Sequence, residues 1–165
     1  MVEWATFNTA GHLYMRLTSF TDYCLRALIC VALKGDEMAT IDEIADRYGI
    51  NRNHLVKVVF RLGQLGYFDT IRGKGGGIRL AKNPARINLG TLVRETEEDF
   101  ALVECFQDRD CQCVIEPACV LRKALYQALG AFFKTLDQYT VADLLEPSRN
   151  LARLLDLPHQ KAKAR

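Results

Sequence analysis

No run of apolar residues in this 165-residue chain approaches the roughly 20 needed to cross a bilayer, the longest being Ala27 to Leu33. No membrane span is expected. The opening residues carry Glu3 and no basic patch ahead of an apolar stretch, so they do not read as a secretory signal, and the expected location is cytoplasmic. Histidine is scarce. His12, His54 and His159 are the only three, no nucleophile motif accompanies them, and the chain therefore does not read as an enzyme. Paired C-x2-C knuckles, the usual mark of a structural zinc site, are also missing. Acids are nearly absent between Arg47 and Arg86, where Asp69 stands alone against nine Lys and Arg residues.

That local shortage hides behind a net charge of +2, because Ile87 to Cys119 reverses it with eight acids against Arg94 and Arg109. A solvated surface usually mixes both signs. A basic block that contains a helix and a hairpin is instead the electrostatic footprint of a nucleic-acid surface.

The block has the right local order. Thr18 to Leu33 reads as a first helix, with Leu25, Leu28, Ile29 and Ala32 at helical spacing and Ser19 or Thr21 as its cap. Thr40 followed by Glu43 forms a capping box for a short helix that Gly49-Ile50 breaks. Asn51 caps a third helix, about Arg52 to Leu65, with Leu55, Val58, Val59 and Leu62 inward and Arg52, Asn53, His54, Lys57 and Arg61 outward. This is a helix-turn-helix pattern, whose second helix enters the DNA major groove. Arg and Asn can form paired hydrogen bonds to base edges, while Lys and Arg neutralise phosphates. The strand Phe68 to Arg72, the run Gly73-Lys74-Gly75-Gly76-Gly77 and the strand Ile78 to Ala81 read as a hairpin wing carrying Arg72, Lys74 and Arg79. The glycine run lacks the GxxxxGK[ST] order and opens no helix, which argues against a nucleotide loop.

Six cysteines divide into two groups. Cys24 and Cys30 lie on an apolar helix and read as ordinary core residues. Cys105, Cys111, Cys113 and Cys119 crowd into fifteen residues, which in a reducing compartment points to metal or redox chemistry rather than to structural disulfides. Their C-x5-C-x-C-x5-C spacing suits an iron-sulfur cluster, with zinc, a thiol redox switch and inert thiols as alternatives. After Glu116-Pro117 a long amphipathic helix follows, with Leu121, Ala124, Leu125, Ala128, Phe132 and Leu136 in its stripe. Such a helix outside a compact domain needs a partner, and pairing with its twin in a homodimer would suit a two-fold operator in double-stranded DNA.

These features together resemble the BadM/Rrf-type winged-helix regulators and, among them, the NsrR-like nitric-oxide-sensing repressors. The resemblance covers Met15 to about Leu145. It rests on the opening Met-Arg-Leu-Thr-Ser-Phe-Thr-Asp-Tyr, the helix-turn-helix, the wing Gly-Lys-Gly-Gly-Gly-Ile-Arg-Leu-Ala, Leu-Val-Glu-Cys-Phe around Cys105, the stretch from Cys113 through Cys119, and Leu-Asp-Gln-Tyr-Thr-Val-Ala-Asp-Leu-Leu. It implies an iron-sulfur cluster, 4Fe-4S in preference to 2Fe-2S, held by Cys105, Cys113 and Cys119, with Asp22 of the dimer partner completing the set. Seven residues separate Cys105 from Cys113, where about five are usual, so Cys111 is an alternative ligand. A sister branch places a ligating histidine three residues after the last cysteine; this chain has Arg122 there.

The expected fold is mainly α with a small β-hairpin wing: a winged helix-turn-helix plus a long dimerisation helix. The expected division is a disordered extension over 1–14, the DNA-binding domain over 15–86, a cluster-binding loop region over 87–119, the dimerisation helix and docking segment over 120–145, and a tail over 146–165. The implied function is repression relieved by nitric oxide. An iron- or redox-sensing cluster regulator and a cluster-free thiol switch are the alternatives.

Overall fold

The computed structural model describes residues 16–107, 111–146 and 148–157. The expected extension over 1–14, together with His12 and His159, lies outside the described residues.

Three helices form the base. Helix α1 spans Ser19–Lys34, α2 Ile41–Tyr48 and α3 Arg52–Gln64. Thr18, rather than Ser19 or Thr21, caps α1, its hydroxyl accepting the Thr21 N–H at 3.3 Å. The hydroxyl of Thr21 is thereby left for a buried contact with a later helix. The capping box of α2 forms as its sequence requires, with Thr40 and Glu43 each accepting from the other's backbone. Gly49 closes α2 in the left-handed conformation, φ 62° and ψ 30°, where a side chain would be strained. Asn51 then caps α3 by accepting the Asn53 N–H at 2.8 Å. Tight caps on both sides of this turn fix the angle between α2 and α3.

Strands β1 (Phe68–Ile71) and β2 (Gly77–Leu80) pair antiparallel in the register Phe68 with Leu80 and Asp69 with Arg79. Ala39 exchanges two backbone hydrogen bonds with Ile78, at 2.9 and 2.7 Å, and so anchors the wing to the chain entering α2. Gly77 makes that approach possible, since a Cβ there would stand 2.6 Å from the Ala39 carbonyl oxygen.

Residues 87–119 are less loop-like than their sequence reading. Asn88 caps a helix, α4 (Leu89–Thr96), whose Leu89, Leu92, Val93 and Thr96 are buried. Leu28, Leu55, Leu62, Ile87 and Leu92 are fully buried with Val141 of the short helix α6 (Val141–Leu144), so one core holds the base, α4 and the C-terminal segment. Cys24 and Cys30 belong to this core, as their helical setting implied. Helix α7 (Ser148–Leu154) adds Ala152 to it, and the chain after α7 accepts hydrogen bonds from Arg47 at the Leu155 and Asp156 carbonyls.

Helix α5 (Val120–Leu136) is different. None of its residues is buried, and Val120, Leu121 and Tyr126 are at least 64% exposed. It touches the rest of the chain at Tyr126, which meets Phe106 edge-on, and near its end, where Phe133 meets Phe100 edge-on and lies under the Arg94 guanidinium, which in turn forms a two-pronged ion pair with Asp137. Cys119 is the N-cap of α5, not a residue of its first turn, because Glu116–Ala118 form a separate 3-10 turn that takes up Pro117.

Candidate nucleic-acid interface and metal centre

All five outward residues expected on α3 are exposed, but they are not equally free. Arg52 is ion-paired to Asp42 of α2 at 2.6 Å, and Arg61 donates to the Glu95 carbonyl at 3.1 Å. The His54 ring stacks beside Tyr23 with centroids 6.0 Å apart, and it is no part of a metal-ligating group among the described residues. The side chains of Asn53 and Lys57 form no hydrogen bond or ion pair among the described residues. They are the two best placed to exchange water for a base edge or a phosphate without first breaking an intramolecular contact. In the wing, Arg72 and Lys74 flank Gly73 at an exposed tip, whereas Arg79 is tied across the hairpin to Asp69 at 3.3 Å.

The cysteine segment faces a cleft of about 1260 Å³ between the start of α5 and the chain after α4. Cys105 and Cys119 line it with Phe106, Glu116, Arg122 and Tyr126. The Cys119 sulfur accepts the Arg122 N–H at 3.3 Å and so caps α5. Partial burial raises the Cys105 thiol above its ordinary value; the neighbouring Cys111 and Cys119 add to this, and the Arg122 charge opposes it. Arg122 is itself engaged by Glu116. Cys113 is exposed and outside the cleft lining, and among the described residues no three His, Cys, Asp or Glu side chains converge as a metal cage. The donor chemistry fits a soft metal cluster, because two thiols share one cleft. Asp22, in the first turn of α1, does not line this cleft and is held by Arg26 through contacts of 3.0 and 2.8 Å.

One constellation was not anticipated from sequence. Three consecutive residues at the end of α4 grip α1 and the base of the wing. Glu95 accepts the Tyr67 hydroxyl, Thr96 accepts the buried Thr21 hydroxyl at 3.0 Å, and Glu97 accepts the Thr18 N–H at 2.8 Å. Burial and the Glu95 contact hold the Tyr67 phenol well above its usual pKa, and Lys82 lies 4.5 Å over its ring. The signal was present in the Asn88 cap and the Leu89, Leu92, Val93, Thr96 spacing.

A family model described as Rrf2, iron-dependent transcriptional regulator, matches residues 17–147. The chain belongs to the Rrf2 family. The HTH-type transcriptional regulator NsrR of Bacillus subtilis strain 168 is 49% identical to this Rrf2 chain over 144 residues, 87% of this chain and 99% of that protein. NsrR of Geobacillus kaustophilus is 52% identical over 142 residues, 86% of this chain and 97% of its own. Among solved structures, CymR, the global cysteine regulator of B. subtilis, superposes with a TM-score of 0.65 at 26% identity, covering 79% of this chain and 96% of its own. IscR of T. potens shares the fold, with a TM-score of 0.67 at 21% identity over 93% of this chain and 97% of its own. The expected mainly helical fold with a hairpin wing is therefore that of the Rrf2 regulators, and this NsrR-like chain is a transcriptional regulator rather than an enzyme. Among the described residues, no helix is long and apolar enough to cross a membrane.

Proposed function

We propose that this NsrR-like regulator is a dimeric cytoplasmic repressor that holds operator DNA in its cluster-loaded form and releases it when nitric oxide attacks the cluster. The observation that carries this reading is the cleft that joins Cys105 to Cys119 at the N-terminus of α5. Cys105, Cys113 and Cys119 would hold an iron-sulfur cluster, 4Fe-4S in preference to 2Fe-2S, with Cys111 as the alternative thiol and Asp22 of the dimer partner as the fourth ligand. When bound, the cluster supplies iron sites with which nitric oxide reacts. The exposed Leu121, Ala124 and Ala128 of the α5 stripe supply the apolar surface for dimerisation, a use that accounts for a helix of about 25 Å with no buried residue.

The chain's own residues provide the link from sulfur to DNA. Cys105 follows eight residues after the Glu95-Thr96-Glu97 grip, which reaches α1 at Thr18 and Thr21, the wing base at Tyr67 and the reading helix at Arg61. Loosening this grip would free the reading helix and wing to shift relative to α1. A coupling of about 2.7 kcal/mol, about 100-fold in affinity, is enough to move a promoter from mostly bound to mostly free.

Cys113→Ala and Cys119→Ala are each expected to abolish both the cluster's visible absorbance and tight operator binding. A variant that lacks the cluster and represses normally would overturn the proposal. The exposure of Cys113 favours one second reading, a cluster-free thiol switch, in which operator binding would respond reversibly to oxidant in iron-free protein.

A further inference from the structure

Two apolar side chains stand uncovered on the reading helix. Phe60 is 67% exposed and Val56 is 40% exposed. At 3.6 residues per turn, Asn53, Lys57, Phe60 and Gln64 fall on one side of α3, opposite the buried Leu55, Val58, Val59 and Leu62, with Val56 at the margin. Phe60 therefore sits at the middle of the outward face rather than at the edge of the core. It makes no aromatic or cation contact among the described residues, and the core behind the helix is complete without it. A lone exposed apolar side chain is ordinary. A pair four residues apart, set among Asn53, Lys57 and Arg61, is a mixed surface whose occupant must carry negative charge and small apolar groups together.

The charge around the pair selects among occupants. A second copy of the same face would bring its own Lys57 and Arg61 against these and be repelled. The major groove of DNA meets both requirements, because its walls are phosphate and its only apolar projection is the thymine C5 methyl, a group known to pack against Phe and other apolar side chains. We propose that Phe60, with Val56 beside it, is a specificity determinant that packs on thymine methyl groups of the operator. The neighbouring Asn53 and Lys57 supply polar contacts, so the helix reads a thymine by its methyl edge next to a hydrogen-bonded or phosphate-anchored neighbour. This inference rests on α3 being the helix that enters the groove.

The test uses the full chain, purified anaerobically, and a pool of randomised duplexes from which the wild-type protein enriches its preferred site. That duplex is remade with deoxyuridine replacing one thymidine at a time, which removes only a methyl. Wild-type binding is expected to weaken about fourfold at one or two thymidines of each half-site, the effect of exposing one methyl-sized group. Phe60→Ala should bind the thymine duplex more weakly and be indifferent to deoxyuridine at those positions, while Phe60→Leu keeps part of the dependence. Lys57→Ala should weaken binding and keep all of it. Indifference of the wild type to deoxyuridine at every position would overturn the proposal, as would equal deoxyuridine losses in wild type and Phe60→Ala. A change of oligomeric state in Phe60→Ala without DNA, at unchanged methyl dependence, would make the face a protein interface and overturn it too. Failure of the wild type to enrich any duplex would instead remove the reading-helix assignment on which the proposal stands.

Discussion

Replacing Thr96 by valine removes the acceptor of the hydrogen bond that joins α1 to α4 inside the core. Thr21 is fully buried and Thr96 is 7% exposed, so neither hydroxyl can turn to bulk water. In the wild type the Thr21 hydroxyl donates to Thr96 at 3.0 Å, and the Thr96 hydroxyl donates onward to the Leu92 carbonyl at 2.9 Å. Thr96→Val strands the Thr21 donor. Leaving a buried polar group unmatched costs about 1–3 kcal/mol. The Thr18 hydroxyl, 3.4 Å from that of Thr21, offers a weak substitute acceptor, so the lower part of that range, about 1–2 kcal/mol, is expected. For a chain of this size that is roughly 2–8 °C in Tm. Thr21→Val should cost less, since Thr96 keeps its bond to Leu92, and the double variant should cost less than the sum because no stranded donor remains. Urea unfolding of the four proteins measures the cycle, and operator titration on the same samples measures the coupling. A Thr96→Val protein as stable as wild type, or strictly additive losses, would refute the argument that this contact fastens the two modules.

Two further outcomes follow from the titrating groups. Burial pushes the Cys24 thiol up to about 12 and the Cys30 thiol up to about 11, so in folded apoprotein neither should react with iodoacetamide at pH 8, while exposed Cys113 reacts first; peptide mapping that finds Cys24 modified before unfolding would contradict the core assignment. Burial raises the Glu43 carboxyl, but hydrogen bonds from Lys34 and Arg47 outweigh it and hold the group below its usual value of 4.5. Its stabilisation is therefore present at neutral pH and is lost as pH falls below that value through the lowered one. Glu43→Gln should lose about 1–3 kcal/mol at pH 7 and show a flatter acid limb, and an unchanged limb in urea unfolding would refute the Lys34–Glu43–Arg47 linkage.

The DNA-reading half was legible because its signals are local. Caps at Thr40 and Asn51, the break at Gly49 and the glycine run at the wing tip each act within a few residues, and the structure places all of them where the sequence does. The cap of α1 is Thr18 rather than Ser19 or Thr21, and the Thr21 hydroxyl is recruited by Thr96, 75 residues away, a contact invisible to local pattern. Helix α4 falls within 87–119, which reads as a cluster-binding loop from its cysteines, although its own apolar spacing is regular. The cysteine segment was legible in composition but not in geometry. Short spacing gathers Cys105 and Cys119 at one cleft and leaves Cys113 exposed outside it, and nothing in a C-x5-C-x-C-x5-C pattern distinguishes those two outcomes.

The central claim is that chemistry at the cysteine segment controls DNA release. The measurement that tests it most directly is a nitric oxide titration of anaerobically purified protein, with visible absorbance and operator binding followed on one sample. Loss of the cluster's absorbance in step with release of the operator is the expected outcome. Operator binding that persists after the absorbance is gone would contradict it, as would a colourless protein that binds its operator fully from the start.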